Sequence, residues 1–363
     1  MTFARYERRV DTLISLLRSR NLDAFACFCF EGSNWESLYY LSGFRGSAGA
    51  LLVGFDEVRL IVDGRYTAQA RSQSPFPVIP QEGRLSDQVE ECLRSWRVRR
   101  IGLEDEKLSH ARWRHLTDRI PDVEDASDLL PLLRRRKDEE ERRLLREAVQ
   151  YAESALWRTL AKTGAGMSER EFAALLEYEI RIGGAEGGWG GEFVIASGPR
   201  SALPHGRPTD RRFAPGEWFV VDFGARYGGY VSDITRTVSL GKPDPFVREL
   251  HDLLVRAQRE AESVLRVGAS GIEADAATRA VLHLAGRAGA FPHGTGHGIG
   301  LELHEVPRLS PRSEDRLREG DVVTLEPGLY YEGRGGARIE DDYLVEEEGA
   351  FRLTSLPREI LVV

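Results

Sequence analysis

Lysine is almost missing from this chain. Of 50 basic residues in 363, only Lys107, Lys137, Lys162 and Lys242 are lysine, a bias that reads as codon usage rather than chemistry. Positive charge as a whole is in deficit: the formal net charge is −8, which excludes a general nucleic-acid binder, since that role needs a positive surface. Cysteine is scarce as well. Cys27 and Cys29 stand two apart in the apolar run Ala24-Phe25-Ala26-Cys27-Phe28-Cys29-Phe30, too close for an ordinary disulfide, and Cys92 is remote. That excludes a disulfide framework and points to a reduced, cytoplasmic protein. No uncharged apolar stretch approaches the roughly 18 residues of a membrane span. The stretch from Met1 to Arg20 carries charges where a signal peptide would have an apolar core. The expectation is a soluble chain without a membrane partner.

What is present suffices for real cores: hydrophobic residues make up 41%, over a length that favours two domains. Tyr6, Val10, Leu13, Ile14 and Leu17 at helical intervals predict a helix over 5–20. Strands are expected at 24–30, 50–54 and 58–63, and helices at 65–73 and 86–97. That mixture describes a small α/β domain over residues 1–131, followed by a second domain over 132–363. Residues 134–150, beginning Arg134-Arg135-Arg136-Lys137, read as a solvated helix face laced with ion pairs three and four residues apart. Beyond it, helices at 151–163, 168–182, 245–266 and 272–288 interleave with strand-like segments at 192–197, 218–225, 230–239, 321–326, 337–347 and 359–363. The second domain is therefore read as α+β.

The chemistry begins with Asp222 and Asp233. Their strand-like surroundings flank Gly228-Gly229, a hairpin signal that puts the two aspartates opposite or diagonal to each other on one face. Val220, Val221 and Phe223 bracket Asp222, so the pair is expected to be partly buried, and two such carboxylates need a cation or a shared proton. Unrelated, exposed aspartates are the competing reading. His293, His297 and His304 fall within twelve residues of a segment with glycine at 294, 296, 298 and 300, where a helix is improbable and the backbone can approach something closely. Glu326 ends an apolar strand before Pro327, and Glu340 lies in the strand-like run at 337–347. Each glutamate alone is an ordinary carboxylate; the case rests on the set. Two Asp, two Glu and one His, with no thiol, favour manganese, cobalt, iron or catalytic zinc over a structural zinc site. A pair of divalent ions sharing carboxylates would acidify a water between them, so two-metal hydrolysis is the simplest reading.

The order Asp222, Asp233, His297, Glu326, Glu340 resembles the pita-bread metallopeptidases, a group that includes methionine aminopeptidase, aminopeptidase P and Xaa-Pro dipeptidase (prolidase). Tyr40-Leu41-Ser42-Gly43-Phe44 and Asp63-Gly64-Arg65-Tyr66 are similar to the proline-specific branch. The resemblance implies a creatinase-like α/β amino-terminal domain before a pita-bread catalytic domain, and two divalent ions, manganese first, with cobalt or zinc as alternatives. It makes Asp222, Asp233, His297, Glu326 and Glu340 the ligands, with Asp233 and Glu340 bridging. His205 matches the histidine facing the substrate, His304 the one at the scissile group and His293 a further active-site histidine. Glu326 matches the proton shuttle, Arg338 an arginine beside the site, and Arg308 the residue that holds a dipeptide's carboxylate. It also implies a homodimer. Xaa-Pro dipeptidase is the favoured activity and aminopeptidase P, acting on longer peptides with proline second, the alternative; a binding module without catalysis, or a metal-free relative, fits the complete set poorly. The glycine-rich stretch Gly187-Gly188-Trp189-Gly190-Gly191 is expected to be a plain surface loop or a lid carrying Trp189 to the substrate.

Overall fold

The computed structural model describes residues 3–120 and 122–363, and internal contacts divide the chain into the units Met1–Arg134 and Arg135–Val363. The first unit contains strands β1 (Ala24–Cys29), β2 (Gly49–Gly54), β3 (Val58–Val62), β4 (Val78–Pro80), β5 (Arg100–Leu103) and β6 (Asp122–Asp125). They form one sheet in the order β4-β3-β2-β1-β5-β6, with β2 alone running against the rest. Helices α1 (Ala4–Ser19), α2 (Trp35–Ser42), α3 (Thr67–Gln73), α4 (Leu85–Ser95), α5 (His110–Thr117) and α6 (Leu129–Arg135) accompany them. All six residues of β1 are buried, which explains why the strand is apolar on both faces. Leu85, Val89 and Leu93 of α4 and Leu116 of α5 cover one face, over Ala24, Ala26 and Phe28. The boundary expected after Pro131 falls inside α6.

Helices of the second unit are α7 (Glu139–Leu160), α8 (Glu169–Gly183), α9 (Pro245–Val264) and α10 (Gly271–Leu284). Their starts are written in the sequence. Asp138 with Glu141, Ser168 with Glu171 and Ser270 with Glu273 form reciprocal capping boxes, and Asp244 caps α9 ahead of Pro245. Phe246, Val247, Leu250, Leu254 and Ala257 place one face of α9 in the core.

The sheets that carry the chemistry are two. The first uses β7 (Val194–Ser197), β8 (Trp218–Phe223) and, after the short pair β9 (Arg226–Tyr227) and β10 (Tyr230–Val231), β11 (Ile234–Ser239). The second uses β12 (Gly296–Gly298), β13 (Glu305–Leu309), β14 (Val322–Leu325), β17 (Asp341–Glu346) and β18 (Gly349–Arg352); β15 (Gly328–Tyr331) and β16 (Gly335–Arg338) pair separately, and β19 (Leu361–Val362) returns to the first sheet beside β11. The orders are β19-β11-β8-β7 and β13-β12-β14-β17-β18.

Three expectations need correction. Residues 134–150 are not one solvated helix: α6 ends at Arg135 and α7 starts at Glu139, and at that break Arg135 and Lys137 are buried while Arg136 stays exposed. Arg135 pairs with Asp321 at 2.7 Å and Lys137 with Glu305 at 3.1 Å, with all four side chains at most 6% exposed. Only beyond Glu139 do pairs three and four residues apart lie on the surface, as Arg143 does with Glu140 and Glu147. Distant carboxylates decided the matter, and local charge spacing cannot reveal them. Next, the segments 230–239 and 337–347 are each two strands, interrupted at Asp233 and Glu340. Last, the stretch 187–191 is not uniformly a surface loop: Gly190 and Gly191 are exposed, but Trp189 is 9% exposed and packs edge-on against Phe193 at 5.7 Å, while its carbonyl accepts from Arg226.

Candidate metal centre and active site

Register places the two aspartates. Strand β11 pairs with β8 so that Thr235 faces Asp222, which leaves Asp233 diagonal to Asp222 on the same face. Gly228 and Gly229 close the hairpin with φ of 56° and 87°, the left-handed pair that a tight primed turn requires. The ladder opens at Gly224, where an added Cβ would lie 1.7 Å from the carbonyl oxygen of Ser232. Freed from the ladder, the Asp233 N–H donates to Asp342 Oδ2 at 3.1 Å.

Glu340 occupies the corresponding gap between β16 and β17. Its N–H donates to the Thr235 carbonyl at 3.1 Å, an isolated bridge, and its Oε2 accepts from Thr235 Oγ1 at 2.7 Å. Beside it, Arg236 is fully buried and gives its N–H groups to the carbonyls of Thr235, Glu340, Leu356 and Pro357 and to Asp341. Glu326 follows β14, its N–H bonded to the Thr295 carbonyl at 2.8 Å.

His297 meets these acids from the middle of β12. Its Nε2 lies 3.6 Å from both Asp233 Oδ2 and Glu326 Oε1, while Nδ1 contacts the Gly298 carbonyl at 3.0 Å. A carbonyl only accepts, so Nδ1 carries the proton and the Nε2 lone pair faces two carboxylate oxygens. That contact is repulsive unless a cation stands between them. Ligand atoms of Asp233, His297 and Glu340 all lie within 4.8 Å of one another, and all three residues are buried. Asp222 contributes a buried Oδ1 that has no hydrogen-bond partner among the described residues. Its Oδ2 pairs with Arg338.

Electrostatics agree with the geometry. Burial, then the neighbouring carboxylates, pushes Asp233 and Glu340 well above the usual carboxylate range. Burial also raises Asp222, and lifts Glu326 to about 7. Burial lowers His297 to about 3, aided by His304, so its ring is neutral and free to ligate. Four carboxylates and a neutral imidazole, without thiols, fit hard or borderline divalent ions.

The remaining sequence candidates surround this cluster. Arg338 donates to Tyr330 Oη at 2.9 Å, and that hydroxyl lies 3.0 Å from His293 Nε2; because the other ring nitrogen of His293 contacts the Gly294 carbonyl, Tyr330 donates to the ring. His293 Nδ1 is 3.9 Å from Glu326. The His304 ring is exposed and 4.3 Å from that of His297. Arg308, also exposed, faces His297 across the β12–β13 pair. His205 is exposed next to Pro204, whose carbonyl accepts from Arg338 at 2.8 Å.

Thr235, Tyr330, Arg236 and Asp342 were missed from sequence. Thr235 was within reach, since it stands two residues beyond Asp233 in a strand and so shares its face. Nothing local marks the other three.

Family comparison gives two matches: residues 143–347 match metallopeptidase family M24, and residues 9–135 match the creatinase/prolidase N-terminal domain. The chain is 34% identical to a Pyrococcus furiosus protein named Xaa-Pro dipeptidase, over 98% of this chain and 100% of that one. It superposes on a Thermotoga maritima X-Pro aminopeptidase with a TM-score of 0.91 at 38% identity, covering 98% of this chain and 99% of the other. A Bacillus anthracis structure described as an Xaa-Pro dipeptidase gives 0.94 at 34% identity, covering 99% and 100%. The expected architecture, a creatinase-like α/β domain followed by an α+β pita-bread domain, holds.

Proposed function

The chain belongs to metallopeptidase family M24, and from that premise we propose that it hydrolyses the bond preceding proline in Xaa-Pro dipeptides. The observation that carries the dipeptide reading is Arg308. Its guanidinium is exposed, has no partner among the described residues, and stands across a strand pair from His297, where it can meet a carboxylate one residue beyond the scissile bond.

In this reading Asp222, Asp233, His297, Glu326 and Glu340 would hold two divalent ions. Manganese suits the oxygen-rich set best; cobalt and zinc are alternatives. Such ions, when bound, polarise a carbonyl and acidify a water at neutral pH. The rest falls to the chain's own side chains. Glu326 is 21% exposed against 6% for Asp233, so it is the acid that a water molecule reaches. It takes the water's proton and returns it to the imide nitrogen, which has no hydrogen of its own and must be protonated to leave. His304, exposed beside His297, donates to the carbonyl oxygen as negative charge develops there. His205 lines the substrate side, while Tyr330 and Arg338 orient His293 and Asp222.

A second reading, release of the first residue from longer peptides with proline second, draws support from the likeness to the Thermotoga X-Pro aminopeptidase. We further place the protein in the cytoplasm, as a homodimer. The three buried free cysteines support a reducing compartment, and no helix among the described residues is long and apolar enough to cross a membrane. The deciding experiment compares hydrolysis of an Xaa-Pro dipeptide with that of the matched tripeptide, in manganese and then with chelator. Metal-dependent cleavage of the dipeptide alone is expected; faster cleavage of the tripeptide would establish the second reading. Cleavage of neither, with metal bound, would overturn proline specificity.

A further inference from the structure

The first unit holds a cavity that hydrolysis does not use. Its volume is about 550 Å³, within the range of small-molecule sites. The carboxyl ends of β1, β3 and β4 form its walls, together with the start of α4 and one side of α5. Strand β1 is where the chain reverses its course across the sheet: it leaves β1 towards β2 on one side and returns beside it as β5 on the other. In open α/β sheets ligands fit outside the carboxyl ends of the strands, and the cavity lies at those ends on the β1, β3 and β4 side of this reversal.

The lining has a definite chemistry. Phe28 and Phe30 stack at 5.7 Å with an interplanar angle of 5°, giving an apolar wall. The Arg112 guanidinium lies over the Phe30 ring, 3.9 Å from its centroid, and makes no ion pair among the described residues. Arg84 is exposed immediately before α4, and its side chain likewise has no partner among them. Asp63 does not offset these charges, because Arg65 already binds it at 2.9 Å. That leaves two available guanidinium groups, one carboxylate in Glu31, and an aromatic wall beside them.

We propose that this crevice binds a small organic carboxylate with an apolar body, the carboxylate on Arg84 and Arg112 and the body along Phe28 and Phe30. Asp63 and Arg65 form one lip of the site. Glu31 can accept from an ammonium group on the same ligand, so free amino acids belong to the class. The proposal does not depend on the hydrolytic activity.

The test is calorimetric titration of the metal-stripped, full-length protein with 3-phenylpropionate. Binding is expected in the wild type and in Arg308→Ala, and should weaken by roughly tenfold or more in Arg84→Gln/Arg112→Gln, whose exposed side chains leave peptide hydrolysis unchanged after metal is restored. The uncharged amide of the same body should also bind roughly tenfold more weakly. Equal affinity in the double variant, equal affinity for the amide, loss of binding in Arg308→Ala, or no binding by the wild type at millimolar concentration would each overturn the assignment.

Discussion

Thr235 donates its hydroxyl to Glu340 across an isolated backbone bridge, and the same oxygen receives Arg338 Nε at 3.1 Å. One small side chain thus orients a carboxylate and the arginine that grips Asp222. Replacing it with valine keeps the shape and removes both bonds. Thr235→Val should fold normally and lose roughly 10- to 100-fold in divalent-ion affinity, read by metal titration. Unchanged affinity would mean that Glu340 is held by the backbone alone.

Arg308→Ala tests the substrate's far end. KM for an Xaa-Pro dipeptide should rise by roughly tenfold or more, while longer peptides with proline second are largely spared. An equal loss on both would remove the carboxylate role and leave Arg308 a general electrostatic contributor.

His304→Ala probes oxyanion stabilisation. A fall in kcat of roughly 10²- to 10³-fold is expected, with metal content unchanged by elemental analysis. If turnover persists at the wild-type rate, His304 has no part in the reaction.

Lys137 and Glu305 form a buried pair 3.1 Å apart, 1% and 5% exposed, and Glu305 also receives the N–H groups of Leu301 and Glu302. Lys137→Met strands a buried carboxylate beneath the loop that carries His304. Apparent stability in denaturant should drop by about 3–5 kcal/mol, and Lys137→Met/Glu305→Leu should recover part of it. A single variant as stable as wild type would show that the carboxylate relaxes into water.

His251 governs acid sensitivity. It is buried in α9, its Nε2 has no partner among the described residues, and burial, then Arg236, lowers its pKa from 6.5 to about 4. Between those values the unfolded chain holds the extra proton, so stability is full above pH 6.5 and falls as pH drops towards 4. By pH 5 the loss from this residue should be about 2 kcal/mol. His251→Leu should flatten the stability profile between pH 7 and 5; an identical slope would assign the acid loss to other groups.

How much of this was legible depended on where each determinant lay. The diagonal of Asp222 and Asp233 follows from Gly228-Gly229, because a two-residue turn fixes the register of its strands. The start of α7 was not placed, although Asp138 and Glu141 stand at the spacing of a capping box; the apolar period alone was read, and it does not mark a terminus. Strands β4, β5 and β6 were not legible, being three or four residues long, too short to display a period. Neither was the burial of Arg135 and Lys137, since their partners Asp321 and Glu305 are more than 150 residues away. Tyr330 and Asp342 were hidden for a similar reason: their significance is a contact, and a contact across the fold leaves no local pattern.

Three of the candidate ligands stand where strand pairing lapses: Asp233 between β10 and β11, Glu340 between β16 and β17, and Glu326 just past β14. At these points the main chain is free of the regular ladder, so a shift of a few tenths of an ångström in one carboxylate need not break a sheet. Such a centre can be expected to breathe with the radius of the ion it receives. It would then exchange one divalent ion for another at the expense of rate rather than of structure.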